Sequence, residues 1–217
     1  SVNQGKGGAM IAGLRLARER GFTHALQVDG DGQHDLGDLP VFLELSRNNP
    51  TALVAGQPIY DASANRFRVS ARHLNHFWVK VQTLDPNPPD AMCGYRVYPL
   101  EATCALLERA NIGKRMDFDI EIMIRLIWDG VPVVRHYTKV IYHENGQSNF
   151  NYLHDNFLIV KMHVKLLLRL GRRLPQQIMR CRRGPEDSKH WAELEELGFT
   201  WGIRFLIWSY RFFGAAA

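Results

Sequence analysis

An α/β fold, with a mostly parallel sheet flanked by helices, is what this chain predicts, and three observations predict it. Short apolar runs of strand length, around Ala25–Val28, Ala52–Gly56 and Val97–Tyr98, alternate with longer runs of helical spacing. That alternation is the signature of helices laid over a sheet, with ligands at the carboxyl ends of the strands. The first strand ends in two carboxylates one glycine apart, Asp29-Gly30-Asp31.

In chain order, Asn3–Ala9 reads as a glycine-rich loop opening a helix from Ala9 to Arg20. Such a loop offers backbone N–H groups, with Lys6 and Gly7 among them, to an anion at a helix N-terminus. The Walker A frame is missing. Thr23–Val28 is a strand that delivers Asp29 and Asp31, with Gln33 and His34 immediately after. Glycines 30 and 32 let the backbone turn so that both carboxylates face one point. Two hard oxygen donors held close repel unless a cation sits between them, and Mg²⁺ or Mn²⁺ suits such a site. A plain Asp-Gly turn is the competing reading. An EF-hand is excluded, because Pro40 stands where its glutamate belongs.

Asp35–Asp38 leads into a helix through Leu45, with Asp38 as N-cap. Thr51–Tyr60 is a strand. Arg66–Leu84 is a helix with Phe67, Leu74, Phe77 or Trp78, and Val81 inward. A proline-stiffened loop, Asp85–Asp90, precedes the strand Ala91–Pro99, whose Gly94 lets another backbone or a ligand come close, with Asp90 and Arg96 bracketing that gap. Glu101–Ala110 is a helix. Asp117, Asp119 and Glu121 open another that runs through Trp128, and the helix dipole alone accounts for acids there. Val131–Tyr142 reads as an edge strand or hairpin, Glu144–Phe150 as a loop, and a helix runs from Asn151 to about Leu170.

With 46% hydrophobic and 23% charged residues, the chain has an ordinary globular composition. The net charge of +5 is local. Lys161, Lys165, Arg169, Arg172, Arg173, Arg180, Arg182 and Arg183 occur between residues 156 and 185 with no acid among them. The three cysteines, Cys93, Cys104 and Cys181, are odd in number and widely spaced, which argues against a disulfide framework or a zinc knuckle. No run of about 18 apolar residues occurs, and no signal peptide opens the chain, so the expectation is a cytoplasmic protein. The absence of an initiator Met suggests a fragment of a longer protein.

Five segments then speak together: Gln4–Ala9, Val28–His34, Cys93–Tyr98, Phe118–Glu121 with Arg125 and Gly130, and Asn145–Ser148. In that order they resemble family 2 glycosyltransferases of the GT-A (Rossmann-like) fold, nearest the dolichyl-phosphate mannose synthase-like branch. The resemblance covers roughly residues 3 to 155. It implies that Asp29, Asp31 and Gln33 bind a metal, Mg²⁺ or Mn²⁺, and that Asp29 and Asp31 meet the diphosphate of a nucleotide-sugar, a UDP- or GDP-sugar. It implies that Asp119 is the general base of an inverting displacement, with Asp90 the second choice, and that Arg96, Lys6 and Gly7 meet phosphate charge. The implied acceptor is a lipid or lipid phosphate. Relative to the family pattern the sheet is incomplete at the N-terminus, which would leave an unpaired edge.

The C-terminal third reads as a helical appendage. Residues 156–183 form a basic amphipathic helix suited to an anionic membrane surface, residues 184–189 a linker, and residues 190–217 a further segment. His190–Arg211 resembles the opening of lauroyl-type lipid acyltransferases, which implies a fusion acting at the inner face of the cell membrane as a peripheral protein. Nucleic acid is not an expected partner, because the basic run lacks an aromatic stacking platform.

Overall fold

The computed structural model describes residues 4–59, 66–140 and 152–181, with side chains described for 4–59, 72–140 and 154–171. The elements are α1 (Gly5–Glu19), β1 (His24–Gln27), a 3-10 turn (Leu36–Asp38), α2 (Leu39–Asn48), β2 (Leu53–Ile59) and α3 (Arg66–Thr83). There follow β3 (Arg96–Pro99), α4 (Leu100–Arg109), α5 (Phe118–Trp128), β4 (Val133–Lys139) and α6 (Tyr152–Cys181). A first compact unit comprises Ser1–Gly171 and so continues past residue 155; a second comprises Arg172–Ala217. The Asn145–Ser148 motif, the linker at 184–189 and the segment 190–217 lie outside the described residues.

The sheet order is β1-β3-β2-β4. β1, β2 and β4 point the same way, as a GT-A-like α/β fold requires, but β3 runs against them. It is wedged between β1 and β2, pairing Gln27 with Arg96, Leu26 with Val97, and Val54 with Val97. A mostly parallel sheet therefore holds for strand direction and not for the pairing at β3. The cause is the route of the chain. The segment before β3 crosses the carboxyl ends of β1 and β2, where Asp90 N–H donates to Gln57 Oε1 (3.1 Å) and Gly94 abuts Asp29. A strand entered from that end opposes its neighbours, whereas a parallel one needs a return crossover.

Strand alternation sends the two faces to different partners. Leu26, Val54 and Val97 meet α2 in a core centred on Phe42, Tyr95 and Cys93. The rings of Phe42 and Tyr95 stack 4.1 Å apart. Each such buried side chain contributes about 2 kcal/mol. The opposite face carries Gln27, Arg96 and Tyr98 towards α5. α5 is buried almost throughout, from Phe118 to Leu126, including the charged Asp119, Glu121 and Arg125; the last two pair with each other (2.6 Å).

Two helices differ from expectation. The glycine-rich segment is not a loop: α1 already begins at Gly5, and Gly8 N–H donates to Lys114 O (3.0 Å). α3 buries the expected stripe only in part: Trp78 and Val81 are half-buried, but Leu74 and Phe77 are exposed while Asn75, Val79 and Gln82 face inward. Those polar side chains face inward because α6 supplies His163 opposite them. α6 buries Met162, Leu166 and Leu170. Its Lys165 reaches the buried Glu121 carboxylate on α5 (3.1 Å).

Candidate functional site

At the carboxyl end of β1 a lysine lies between two aspartates. Lys6 Nζ stands 2.8 Å from Asp29 Oδ1 and 2.9 Å from Asp29 Oδ2, and 2.7 Å from Asp119 Oδ2. Asp29 comes from the end of β1, Asp119 from the first turn of α5, and Lys6 from the first turn of α1. Burial pulls the Lys6 ammonium towards neutrality, but Asp119 and Asp29 more than offset it, and its pKa is raised. The site therefore holds a cation between two anions.

Asp119 is 4% exposed and rigidly oriented. Its Oδ1 accepts from Gln27 Nε2 (3.0 Å), and Gln27 Oε1 in turn accepts from Tyr98 Oη (2.9 Å). Its carbonyl accepts from Arg96 Nη1 (2.7 Å). Sequence reading did not single out Gln27 or Tyr98. The one signal was an amide on a strand otherwise apolar enough to be core.

Asp29 leans over Gly94, where any Cβ would overlap its carboxylate and push Asp29 out of its present position. Asp31 is exposed, and its Oδ1 accepts from Gln33 N–H (3.1 Å). His34 sits beside both acids. Burial lowers its pKa despite Asp29 and Asp31, and its Nδ1 is buried without a partner.

Three expected site residues have other tasks. Arg96 is 0% exposed, and its guanidinium donates to Cys93 O (2.8 Å), Ala91 O (2.7 Å) and Asp119 O rather than facing a phosphate. Asp90 is gripped by Arg72 (Nε to Oδ2, 2.6 Å) and accepts from the Met92 (2.7 Å) and Cys93 (3.1 Å) N–H groups. Burial raises the Asp90 pKa, Arg72 more than reverses that, and the net direction is down. A carboxylate so stabilised is a poor proton acceptor. Gly7 is a packing residue, since a Cβ there would meet Phe118 Cβ at 2.6 Å. Cys93 is inert, its thiol pushed up to about 11 by burial.

Were a divalent ion held here, Asp29, Asp31 and Gln33 would offer it oxygen donors, the kind that Mg²⁺ or Mn²⁺ takes. Among the described residues no three His, Cys, Asp or Glu side chains gather as a cage. A metal here would take the rest of its shell from a ligand, as Mg²⁺ does with substrate phosphates.

Residues 1–105 match the family model of glycosyl transferase family 2. The matched segment contains Lys6, Asp29, Asp31, Asp90 and Arg96, while Asp119 lies beyond it. A curated relative, an undecaprenyl-phosphate mannosyltransferase of Micrococcus luteus, is 26% identical over 155 residues, covering 70% of this chain. The chain spans 63% of that relative's length. No solved structure matches. The α/β architecture around the matched segment, a four-stranded sheet flanked by helices, is consistent with a GT-A-like fold.

Proposed function

We propose that this chain transfers a sugar from a nucleotide-sugar, a UDP- or GDP-sugar, to a lipid-phosphate acceptor of the polyprenyl type, with inversion. The observation that carries the reading is the convergence of Asp29, Asp119 and Lys6 at the carboxyl end of β1, next to Asp31 and within reach of the family 2 segment. Departure of a nucleoside diphosphate develops negative charge, which needs a fixed cation or metal beside it. Lys6 is such a cation. Asp29, Asp31 and Gln33 would hold Mg²⁺ or Mn²⁺ entering with the diphosphate, and the ion's chemistry when bound is charge neutralisation of the leaving group.

Asp119 has a role that depends on the acceptor. A hydroxyl acceptor must lose a proton as it attacks, and Asp119, held by Gln27 at the site, is the group placed to take it. A phosphate acceptor with second pKa near 6 arrives largely ionised, so Asp119 then only positions Lys6 and the incoming oxygen. The Micrococcus luteus relative favours the second case by its name.

The same reading places the protein at the inner face of the cell membrane as a peripheral protein, where a lipid acceptor resides. No described helix is long and apolar enough to cross a membrane. α6 nevertheless turns Phe157, Val160, Val164 and Leu168 outward, on the side opposite its buried residues, with Lys161 and Arg169 also exposed. That pattern suits an interfacial helix on anionic lipid. Residues 190–217, outside the described residues, are read as the opening of a lauroyl-type acyltransferase segment on resemblance alone.

The deciding experiment is calorimetric binding of UDP and GDP with Mn²⁺, followed by turnover with a polyprenyl phosphate. Asp29→Ala and Asp31→Ala are expected to lose binding. Asp119→Asn is expected to keep nucleotide binding while turnover with a hydroxyl acceptor falls roughly a hundredfold. Unaltered binding in both alanine variants would sink the proposal.

A further inference from the structure

Lys6 sits where charge logic would otherwise put the ion. A lysine in the first turn of a helix is disfavoured by the dipole, and α1 has no acid in that turn to compensate. Its position is nonetheless tightly built. Gly7 and Gly8 bring α1 into backbone contact with the segment before α5: Gly8 N–H bonds Lys114 O, and any Cβ on Gly7 would strike Phe118 Cβ and the Lys114 carbonyl carbon at 2.8 Å. Gly5, at φ +80, is strained for any other residue and would drive a Cβ to 2.7 Å from Lys114 O. The consequence of this glycine interlock is that Lys6 reaches Asp29 and Asp119 together, 2.7–2.9 Å from each.

We infer that Lys6 is a built-in, displaceable counter-cation: it neutralises Asp29 and Asp119 while the donor site is empty, and it transfers to the donor's diphosphate when the nucleotide-sugar arrives. The inference rests on the glycosyl-transfer reading and adds a regulation of that site. Both Asp29 oxygens lie within 3 Å of Lys6 Nζ, so a divalent ion alone competes with a covalently tethered ammonium and binds weakly. A diphosphate offers Lys6 a new partner, releases Asp29 to a metal, and leaves Asp119 unpaired only at the moment an acceptor has a donor to attack. Binding of the ion and of the nucleotide thereby become mutually supportive, a coupling that is reciprocal by linkage. It also guards Asp119 against activating water while no donor is bound.

The test measures Mn²⁺ affinity by electron paramagnetic resonance of the free ion, with and without saturating UDP or GDP, in the wild-type chain, Lys6→Met and Lys6→Gln. The glutamine variant keeps hydrogen-bonding capacity towards both carboxylates and guards against a packing defect in the methionine one. Wild type is expected to bind Mn²⁺ weakly alone and at least tenfold more tightly with nucleotide. Both variants are expected to bind Mn²⁺ alone at least tenfold more tightly than wild type, and to lose most of the gain from nucleotide. Nucleotide binding with Mn²⁺ affinity unchanged in folded variants overturns the inference and leaves the glycosyl-transfer reading standing. No nucleotide binding by wild type overturns both. Failure of both variants to fold also overturns it, because a cation that leaves during the cycle is not one the fold depends on.

Discussion

Arg96 and Asp119 show how residue identity and residue task come apart. An arginine beside a loop glycine invites a phosphate-binding role, yet here the guanidinium is fully buried and ties three backbone carbonyls, those of Ala91, Cys93 and Asp119. It holds Asp119 from behind while Gln27 and Lys6 hold it in front. Arg96→Lys keeps the charge but loses the fork that reaches several oxygens at once. The expected outcome is a loss of about 3 kcal/mol in urea unfolding, since buried acceptors are left without donors. A phosphate-binding arginine would instead leave the unfolding midpoint unchanged and weaken nucleotide affinity. At this scale the sequence was most legible where placement is local: Asp29 and Asp31 stand just past the end of β1, as their own neighbours indicate. Gln27, Tyr98 and Arg72 were not, because their partners Asp119, Gln27 and Asp90 come from other elements that only the fold brings near.

The packing of α3 against α6 was hidden at the level of whole elements. Periodicity put Leu74 and Phe77 inward on α3, but Asn75 and Gln82 are the buried ones, because a polar contact across α6 outranks the apolar stripe. Gln82 Nε2 donates to the His163 carbonyl (3.0 Å), which turns its oxygen to His163 Nδ1 (3.0 Å) and places the ring proton there. His163 Nε2 lies 2.8 Å from the Asn75 side-chain amide oxygen, and exchanging that amide's oxygen and nitrogen gives the ring the N–H it then needs. Burial holds the His163 pKa down at about 4 against an ordinary 6.5. The folded form thus binds a proton less readily than the unfolded form. Stability is fully present above pH 6.5 and declines as pH falls from there to about 4, by about 3 kcal/mol in total. Urea unfolding at pH 7 and pH 4.5 should show this decline in wild type and a shallower one in His163→Gln. Equal slopes would exclude His163 as its source.

For the molecule as a whole, the fold class, the order of elements and the place of the acidic pair were readable from alternation and spacing. The antiparallel β3 was not, since strand direction depends on the path of a loop and not on residue pattern. The basic amphipathic helix over residues 156–183 was foreseen, but not that α6 would carry apolar residues on two sides, Met162, Leu166 and Leu170 buried and Phe157, Val160, Val164 and Leu168 outward. Phe157, at 64% exposure, and Leu168, at 73%, are instead free to meet a lipid surface. In co-sedimentation with anionic phospholipid vesicles, a Phe157→Asp, Leu168→Asp double variant is expected to bind roughly tenfold less than wild type. Its thermal midpoint should be unchanged, because neither side chain is in the core. Undiminished sedimentation would remove the membrane from the proposed function.

The wedge of β3 has one more consequence, for how the protein comes into being. Gln27 and Arg96 are neighbours in the sheet although 69 positions separate them along the chain. During synthesis, β1 and β2 leave the ribosome before β3, the strand that lies between them. The lysine cradle has no Asp119 backing until α5 has also been made. Long-range closure of this kind is slow, and the two waiting strands are open to wrong partners meanwhile.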